Sequence, residues 1–268
     1  MSLWRQYLLA RKMTNKVRWV IDNLLPPIVS DARWFNRILA HATYGRLPFD
    51  LDFKERAFFM TQQDFRAAYE ALGVGIGRPS DATEGQREFL ITMACGPDVL
   101  EVGCGNGQLA LEMARSGLHV CACDMSHFSL ALVQQKATTM GIWAQFIASD
   151  IVQLPWKDNS FDSVVTSHTL EHVGDLAAAM RELRRVAKHR IVIVVPCQKY
   201  KRYTIDYHLH FFPTEAQLRH QLGLTNAHVQ KIDGDWGIVA ELGKEDHSAS
   251  MGHEQYWNRV RLTRLVGL

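Results

Sequence analysis

Glu101, Gly103, Cys104, Gly105, Asn106, Gly107 and Asp124 have the types and spacing to hold a polar ligand. Glu101-Val-Gly103-Cys104-Gly105-Asn106-Gly107 closes a short apolar run made of Val99, Leu100 and Val102. Glycines let a backbone turn with positive φ and pass close to a ligand without Cβ collisions. A helical stretch with Leu109, Leu111, Met113 and Ala114 follows, and a second apolar run from Leu118 to Cys123 ends on Asp124. Strand, glycine turn, helix, strand and acid is the layout of a nucleotide-binding βαβ unit. An acid at the tip of the second strand can accept hydrogen bonds from both ribose hydroxyls. A dinucleotide fingerprint has its third glycine three residues after the second, where this chain has Gln108. The pattern is instead Glu-x-Gly-x-Gly-x-Gly, with the acid two residues ahead of the first glycine.

The elements needed to position these residues are legible downstream. Phe128 to Met140 reads as a helix stopped by Gly141, and Ala144 to Ala148 as a strand ended by Ser149-Asp150-Ile151. Phe161 to Ser167 is the next strand, after the turn Lys157 to Ser160. Asp175 caps a helix carrying Leu176, Ala179, Met180, Leu183 and Val186. Ile191 to Val195 has no polar member and suits a strand buried on both faces. Thr214 caps a last core helix ending at Gly223, and Ala227–Ile232 and Trp236–Leu242 suggest an antiparallel edge. Such alternation predicts an α/β, Rossmann-like, mostly parallel seven-stranded sheet with helices on both faces. Ligands then bind at the carboxyl ends of the strands, where Gly103 to Gly107, Asp124, Asp150 and His168 all fall.

The motif from Glu101 to Gly107, followed by Asp124, resembles the first motif of class I S-adenosylmethionine-dependent methyltransferases. A second likeness covers about residues 83–222. Asp150-Ile151, Leu154-Pro155, Asn159-Ser160-Phe161-Asp162 and Leu170-Glu171-His172-Val173 follow the order found in small-molecule methyltransferases of the ubiquinone-biosynthesis type. The resemblance implies that Glu101 and the glycines hold the methionine portion and Asp124 the ribose. It places Asp150 at the adenine amino group, Met125 or Ile151 on the ring face, and His168 between cofactor and acceptor. Asp162, Glu171 and His172 read equally well as turn or capping residues. Residues 47–59 and the segment Arg78 to Asp81 resemble methyltransferases of surface-polysaccharide and glycan clusters, which implies O-methylation of a sugar or glycan-linked small molecule. A quinone or lipid acceptor, an NAD-dependent oxidoreductase (disfavoured by Gln108) and a SAM-binding protein without chemistry remain the alternatives.

A hydroxyl acceptor also needs a group to take its proton. Histidine suits that role, and 12 are present. His168 follows the fourth strand, and His208-Leu-His210 lies in the loop after the fifth, where an extended backbone would point both rings one way. His208 and His210 lack a visible third ligand, so no metal is expected. A formal charge of +2 argues against nucleic acid as an obligatory partner. The five cysteines show no zinc spacing and read as reduced thiols. No apolar run of membrane-spanning length and no signal-peptide core appears, which points to a cytoplasmic protein.

Residues 1–80 read as a helical extension forming a lid or acceptor wall, 81–243 as the SAM-binding domain and 244–268 as a loop and tail. Within residues 1–25 a basic, tryptophan-bearing helix carries Leu3, Tyr7, Ala10, Val17, Ile21 and Leu24 in a stripe. It either lies on an anionic membrane surface as a peripheral contact or docks its stripe on the main domain or on a second copy in a homodimer. Gly73-Val-Gly75-Ile-Gly77 follows a helix and has no partner acid, so it reads as a link.

Overall fold

Val99, Leu100, Val164, Val165 and the whole run from Ile191 to Val195 are buried, as strands sandwiched between two helix layers must be. The structure, a computed structural model, describes residues 11–44, 50–57, 59–61, 63–68, 82–203 and 207–243. Its strands are β1 (Asp98–Val102), β2 (His119–Asp124), β3 (Gln145–Ala148), β4 (Phe161–Ser167), β5 (Ala187–Val195), β6 (His228–Ile232) and β7 (Asp235–Glu241). They form one sheet in the order β3-β2-β1-β4-β5-β7-β6. The first five are parallel, and β7 runs antiparallel between β5 and β6. The chain leaves β1 outward through β2 and β3, then returns to β1's other side as β4. That reversal opens a crevice at the carboxyl ends of β1 and β4.

Alternation along the strands divides the core into two faces. Leu100, Val102, Cys121, Cys123, Ile191 and Ile193 meet Met180 and Leu183 of α8 (Leu176–Val186) and Leu218 and Leu222 of α9 (Glu215–Leu222). Val99, Val120, Ala122, Val165, Val192 and Val194 meet Phe89, Leu90 and Met93 of α5 (Glu84–Met93), and Leu109 and Met113 of α6 (Gln108–Arg115). The fifth strand starts at Ala187 rather than Ile191, so α8 passes into it without a loop. Arg185 braces this junction by donating to Trp156 O, Leu154 O and the Glu182 carboxylate. All five cysteines are free thiols.

Helix starts follow capping chemistry. Asp175 accepts from Ala178 N at 2.8 Å, and Thr214 accepts from Gln217 N at 3.3 Å, both as expected. At α5 the cap is Thr83. Its hydroxyl accepts from Gln86 N at 3.2 Å while Gln86 Oε1 accepts from Thr83 N at 3.0 Å. Thr83-Glu-Gly-Gln86 is the fuller capping box, with both orphan donors satisfied.

The front helices depart from the stripe argument. They are α1 (Arg11–Leu24), α2 (Pro27–Ser30), α3 (Arg33–Tyr44) and α4 (Phe53–Ala57). Helix α1 docks through polar groups. Arg18 reaches Asp235 at 2.6 Å, and Asp22 meets Lys201 at 2.8 Å. Val17 and Leu24 of the expected stripe are exposed, as are Trp19 and Val20, while Ile21 is partly buried. On α3 the buried residues are Asn36 and Ala40, while Trp34 and Ile38 are exposed. Residues 1–10, the Gly73–Gly77 stretch and the tail 244–268 lie outside the described residues. Helix α7 (His127–Thr139) completes the set, covering β2 and β3.

Asp235 is fully buried and joins distant parts of the chain. It accepts from Arg18 at 2.6 Å, from Gln86 Nε2 at 3.1 Å and from Cys197 N at 3.2 Å. Truncating Arg18 leaves that carboxylate without its guanidinium. Arg18→Met should cost about 3 kcal/mol, the lower end for breaking a buried pair. Thermal unfolding should then fall by about 6 °C or more; a melting point within a degree of the parent would show that the pair carries no stability.

Candidate functional site

The loop after β1 is shaped by its glycines and by Asp124. Gly103 N and Cys104 N both donate to Cys123 O, tying the loop to the end of β2. Gly103 has φ +78°, and a Cβ there would lie 2.2 Å from Thr169 Oγ1. At Gly107, φ +72°, a Cβ would collide with Val133 at 1.8 Å. Gly105, φ +50°, would carry its Cβ into open space. Asp124 Oδ2 accepts from Gly105 N at 2.8 Å and Oδ1 from Ser126 N at 2.9 Å. One carboxylate thus fixes both the glycine loop and the start of α7.

These groups line one cavity of about 770 Å³, within the range of small-molecule and cofactor sites. Its walls hold Glu101, Gly103, Cys104, Gly105 and Asn106 from the β1 end, Asp124 and Met125 from the β2 end, and Asp150 and Ile151 from the β3 end. Gly107 caps α6 just behind the loop. Asp150 Oδ1 accepts from Val152 N at 3.1 Å, which holds that turn against the cavity. Outward from these, Ala57, Met60, Phe65, Phe128, Leu132 and Val173 form an apolar wall. The sequence reading had not picked this wall. Phe128 and Leu132, half-exposed one turn apart on α7, were its signal.

Of the three histidines expected to take a proton, His168 lines the cavity, and each of the three has a hydrogen-bond partner in the fold. His168 sits at φ +51° after β4, with its side chain 2% exposed. The Gln86 amide is oriented by Nε2 donating to Ile232 O and Asp235, so its Oε1 accepts from His168 Nε2 at 3.1 Å. His168 Nδ1 lies 3.4 Å from Glu171 Oε1. His208 is buried, its Nδ1 2.6 Å from Gln198 Oε1. His210 Nε2 donates to Val173 O at 2.8 Å, and burial lowers its pKa. Neither His208 nor His210 is among the residues that line the cavity; their rings meet Gln198 and Val173 O instead. His172, next to Glu171, does line the cavity.

Residues 100–195 match the family described as a methyltransferase domain. This stretch is a methyltransferase domain. Over 172 residues the chain is 32% identical to a demethylmenaquinone methyltransferase of Roseiflexus castenholzii, covering 62% of this chain and 60% of that protein. Over 94 residues it is 37% identical to a ubiquinone biosynthesis O-methyltransferase of Hahella chejuensis, 35% of this chain and 40% of the relative. A demethylmenaquinone methyltransferase of Corynebacterium efficiens is 36% identical over 93 residues, 35% of this chain and 38% of that one. The chain thus spans from about two fifths to three fifths of the length of these curated relatives. Among solved structures, a chain from the Haloferax volcanii complex of the Trm112 methyltransferase activator with a methyltransferase aligns with TM-score 0.52 at 15% identity, over 70% of this chain and all of that one. The cyclase SpnF aligns with TM-score 0.50 at 21% identity, over 63% of this chain and 72% of its own. Both share the fold.

The cavity of the methyltransferase domain fits S-adenosylmethionine on two observations. Gly105 leaves a space that a side chain would fill, beside the carboxylate of Asp124. Glu101, 3% exposed, has Oε2 buried without a hydrogen-bond partner among the described residues. Burial, reinforced by the charge of Asp124, pushes its pKa up to about 8. A buried carboxylate held protonated near neutral pH, at the head of a glycine cradle, suits a cationic ligand that restores its charge.

That shift has a sign. The folded state keeps the Glu101 proton above pH 4.5, where the unfolded chain sheds it, so this stability is lost as pH rises toward about 8. Glu101→Gln cannot ionise and should melt above the parent at pH 8.5, with the gap closing by pH 5. Calorimetry in buffers of different ionisation enthalpy should show proton release when S-adenosylmethionine binds the parent at pH 7, and none for Glu101→Gln. Equal proton counts would remove Glu101 from the cofactor site.

Proposed function

We propose that the chain is a SAM-dependent methyltransferase acting on the oxygen of a small apolar ring compound. The observation that carries this reading is the pairing of Glu101 with Asp124 in one cavity, one acid placed for a cationic group and the other for a ribose. Bound S-adenosylmethionine supplies a methyl group already activated by its sulfonium. The protein's task is then alignment and exclusion of water. The glycine loop and Asp124 fix the cofactor end, Asp150, Met125 and Ile151 bracket the adenine, and the wall of Met60, Phe65, Phe128 and Leu132 seats the acceptor. That apolar wall supports a flat ring over the bare sugar or glycan-linked acceptor inferred from the N-terminal segments. The quinone-pathway names of the relatives support the same choice.

No helix among the described residues is long and apolar enough to cross a membrane. Contact with a bilayer surface is a second reading, supported by Trp19, Leu24, Ile28, Trp34 and Ile38, all exposed on the front helices. A membrane-dissolved acceptor would make that face useful.

Calorimetry should show S-adenosylmethionine or its demethylated product binding at micromolar strength, with NADH and NADPH silent. Asp124→Ala should weaken this about 10- to 100-fold, the cost of hydrogen bonds to a charged acceptor. Labelled methyl transfer should reach catechols and hydroquinones and pass over free sugars. Tight NADH binding overturns the reading; transfer to sugars alone overturns the acceptor class. Anionic vesicles should carry the parent upward in flotation and leave Trp19→Ser/Trp34→Ser behind. Flotation unchanged by that double change, or a stable dimer buried through the same face, would end the membrane reading.

A further inference from the structure

Glu171, His172 and His208 are brought together although the two histidines stand 36 positions apart in sequence. One donor atom of each lies within 4.8 Å of the others. The loop that carries His208 is pinned to this spot by its backbone, since Leu209 N and His210 N both donate to Glu171 O, at 2.7 and 3.0 Å. His172 and His208 pack edge to face with ring centroids 4.8 Å apart. The carboxylate and His208 are buried, while His172 reaches the cavity wall beside Val173.

The tautomers are set by the surroundings. His172 Nδ1 donates to Tyr207 O at 3.2 Å, so Nε2 carries the lone pair, and that atom lies 4.0 Å from Glu171 Oε1. His208 Nδ1 meets Gln198 Oε1 at 2.6 Å, which likewise makes Nε2 its lone-pair nitrogen. Metal-bound imidazoles are held in this way, one nitrogen donating to a carbonyl so that the other is oriented and made more basic. His168 Nδ1 lies 3.4 Å from the same carboxylate.

We propose that Glu171, His172 and His208 bind a divalent cation of zinc type on the acceptor side of the cavity. Two imidazoles and a carboxylate are the ligand set of an open zinc site, leaving a fourth position for water or a substrate oxygen. Zinc holds such ligands at about 2.0–2.2 Å, so the donors must close to about 3.3 Å from one another, a shift of about 1 Å in side-chain torsions. The site deepens the methyltransferase reading, on which its use but not its existence rests. His172 would turn the cation toward the cavity, where it could bind an acceptor hydroxyl and lower its pKa. The hydroxyl proton leaves to solvent, the oxygen forms the bond to the methyl carbon, and the carbon–sulfur bond breaks to release the thioether. The proton-accepting role sought among single histidines falls in this account to a cation that two of them hold.

The test uses the full, untagged chain, stripped with chelator and titrated with Co²⁺ and Zn²⁺ by visible absorption and calorimetry. One ion per chain should bind. His172→Ala and His208→Ala should each weaken binding about 100-fold or more, and Gln198→Ala, which frees the His208 ring, about 10- to 100-fold. His210→Ala, outside the cluster, should change nothing. Absence of saturable uptake, or equal affinity in His172→Ala and His208→Ala, overturns the site. Should a variant not fold, X-ray absorption on the zinc-loaded parent decides. Two imidazoles with oxygen uphold the site, and a sulfur ligand or a single imidazole overturns it. S-adenosylmethionine binding, measured on the same samples, keeps the two claims apart. Cofactor without metal sinks only the cation site, and metal without cofactor sinks only the methyltransferase reading.

Discussion

The carboxylate of Asp235 is the point on which the architecture closes. It is fully buried and needs donors from every side. Arg18 comes from the first described helix, Gln86 from the helix before β1 and Cys197 N from the end of β5. Gln86 passes the constraint on, because the same amide accepts from His168 at the end of β4 and from Thr83 at its own helix cap. One charge therefore fixes the front helices, the α5 cap and the turn leading to Glu171. An apolar residue at this position would satisfy the core but remove one acceptor from Arg18 and one from the Gln86 amide, and with them a pin between the first described helix and the sheet.

The sheet was legible because its signals are local. Unbroken apolar runs, Gly stops and the caps at Asp175 and Thr214 each sit within a few residues of the boundary they set. The cofactor side was legible for the same reason. Gly103, Gly105, Gly107 and Asp124 act within one βαβ unit, and the structure puts them with Glu101, Asp150, Met125 and Ile151 around one cavity or directly behind it. The seventh strand slots between β5 and β6, a placement that antiparallel pairing allows and that local periodicity does not specify.

What escaped the sequence depends on distance. In sequence the α1 stripe reads either as a membrane-surface contact or as a docking face, whereas the helix is seated by ion pairs at Arg18 and Asp22, whose partners Asp235 and Lys201 lie far along the chain. The histidines were sorted by their position after strands, whereas their roles follow from what meets the ring: Gln86 for His168, Gln198 for His208, Val173 O for His210. Tyr207 takes a left-handed conformation, and a non-glycine residue gives no local sign of it. In sequence His172 reads as a turn or capping residue, and only the return of residues 207–210 to Glu171 shows that it belongs to a cluster.

The bond between Arg18 and Asp235 spans 217 residues. During synthesis, at about 5–20 residues per second, the first described helix is out of the ribosome for about 10 to 40 seconds before the strand that anchors it exists. Val17, Trp19, Val20 and Leu24 are exposed throughout that interval, as they are in the finished fold. The front helices are thus made before the sheet and seated only after it. For that time their apolar side is open to whatever surface or chaperone it meets first.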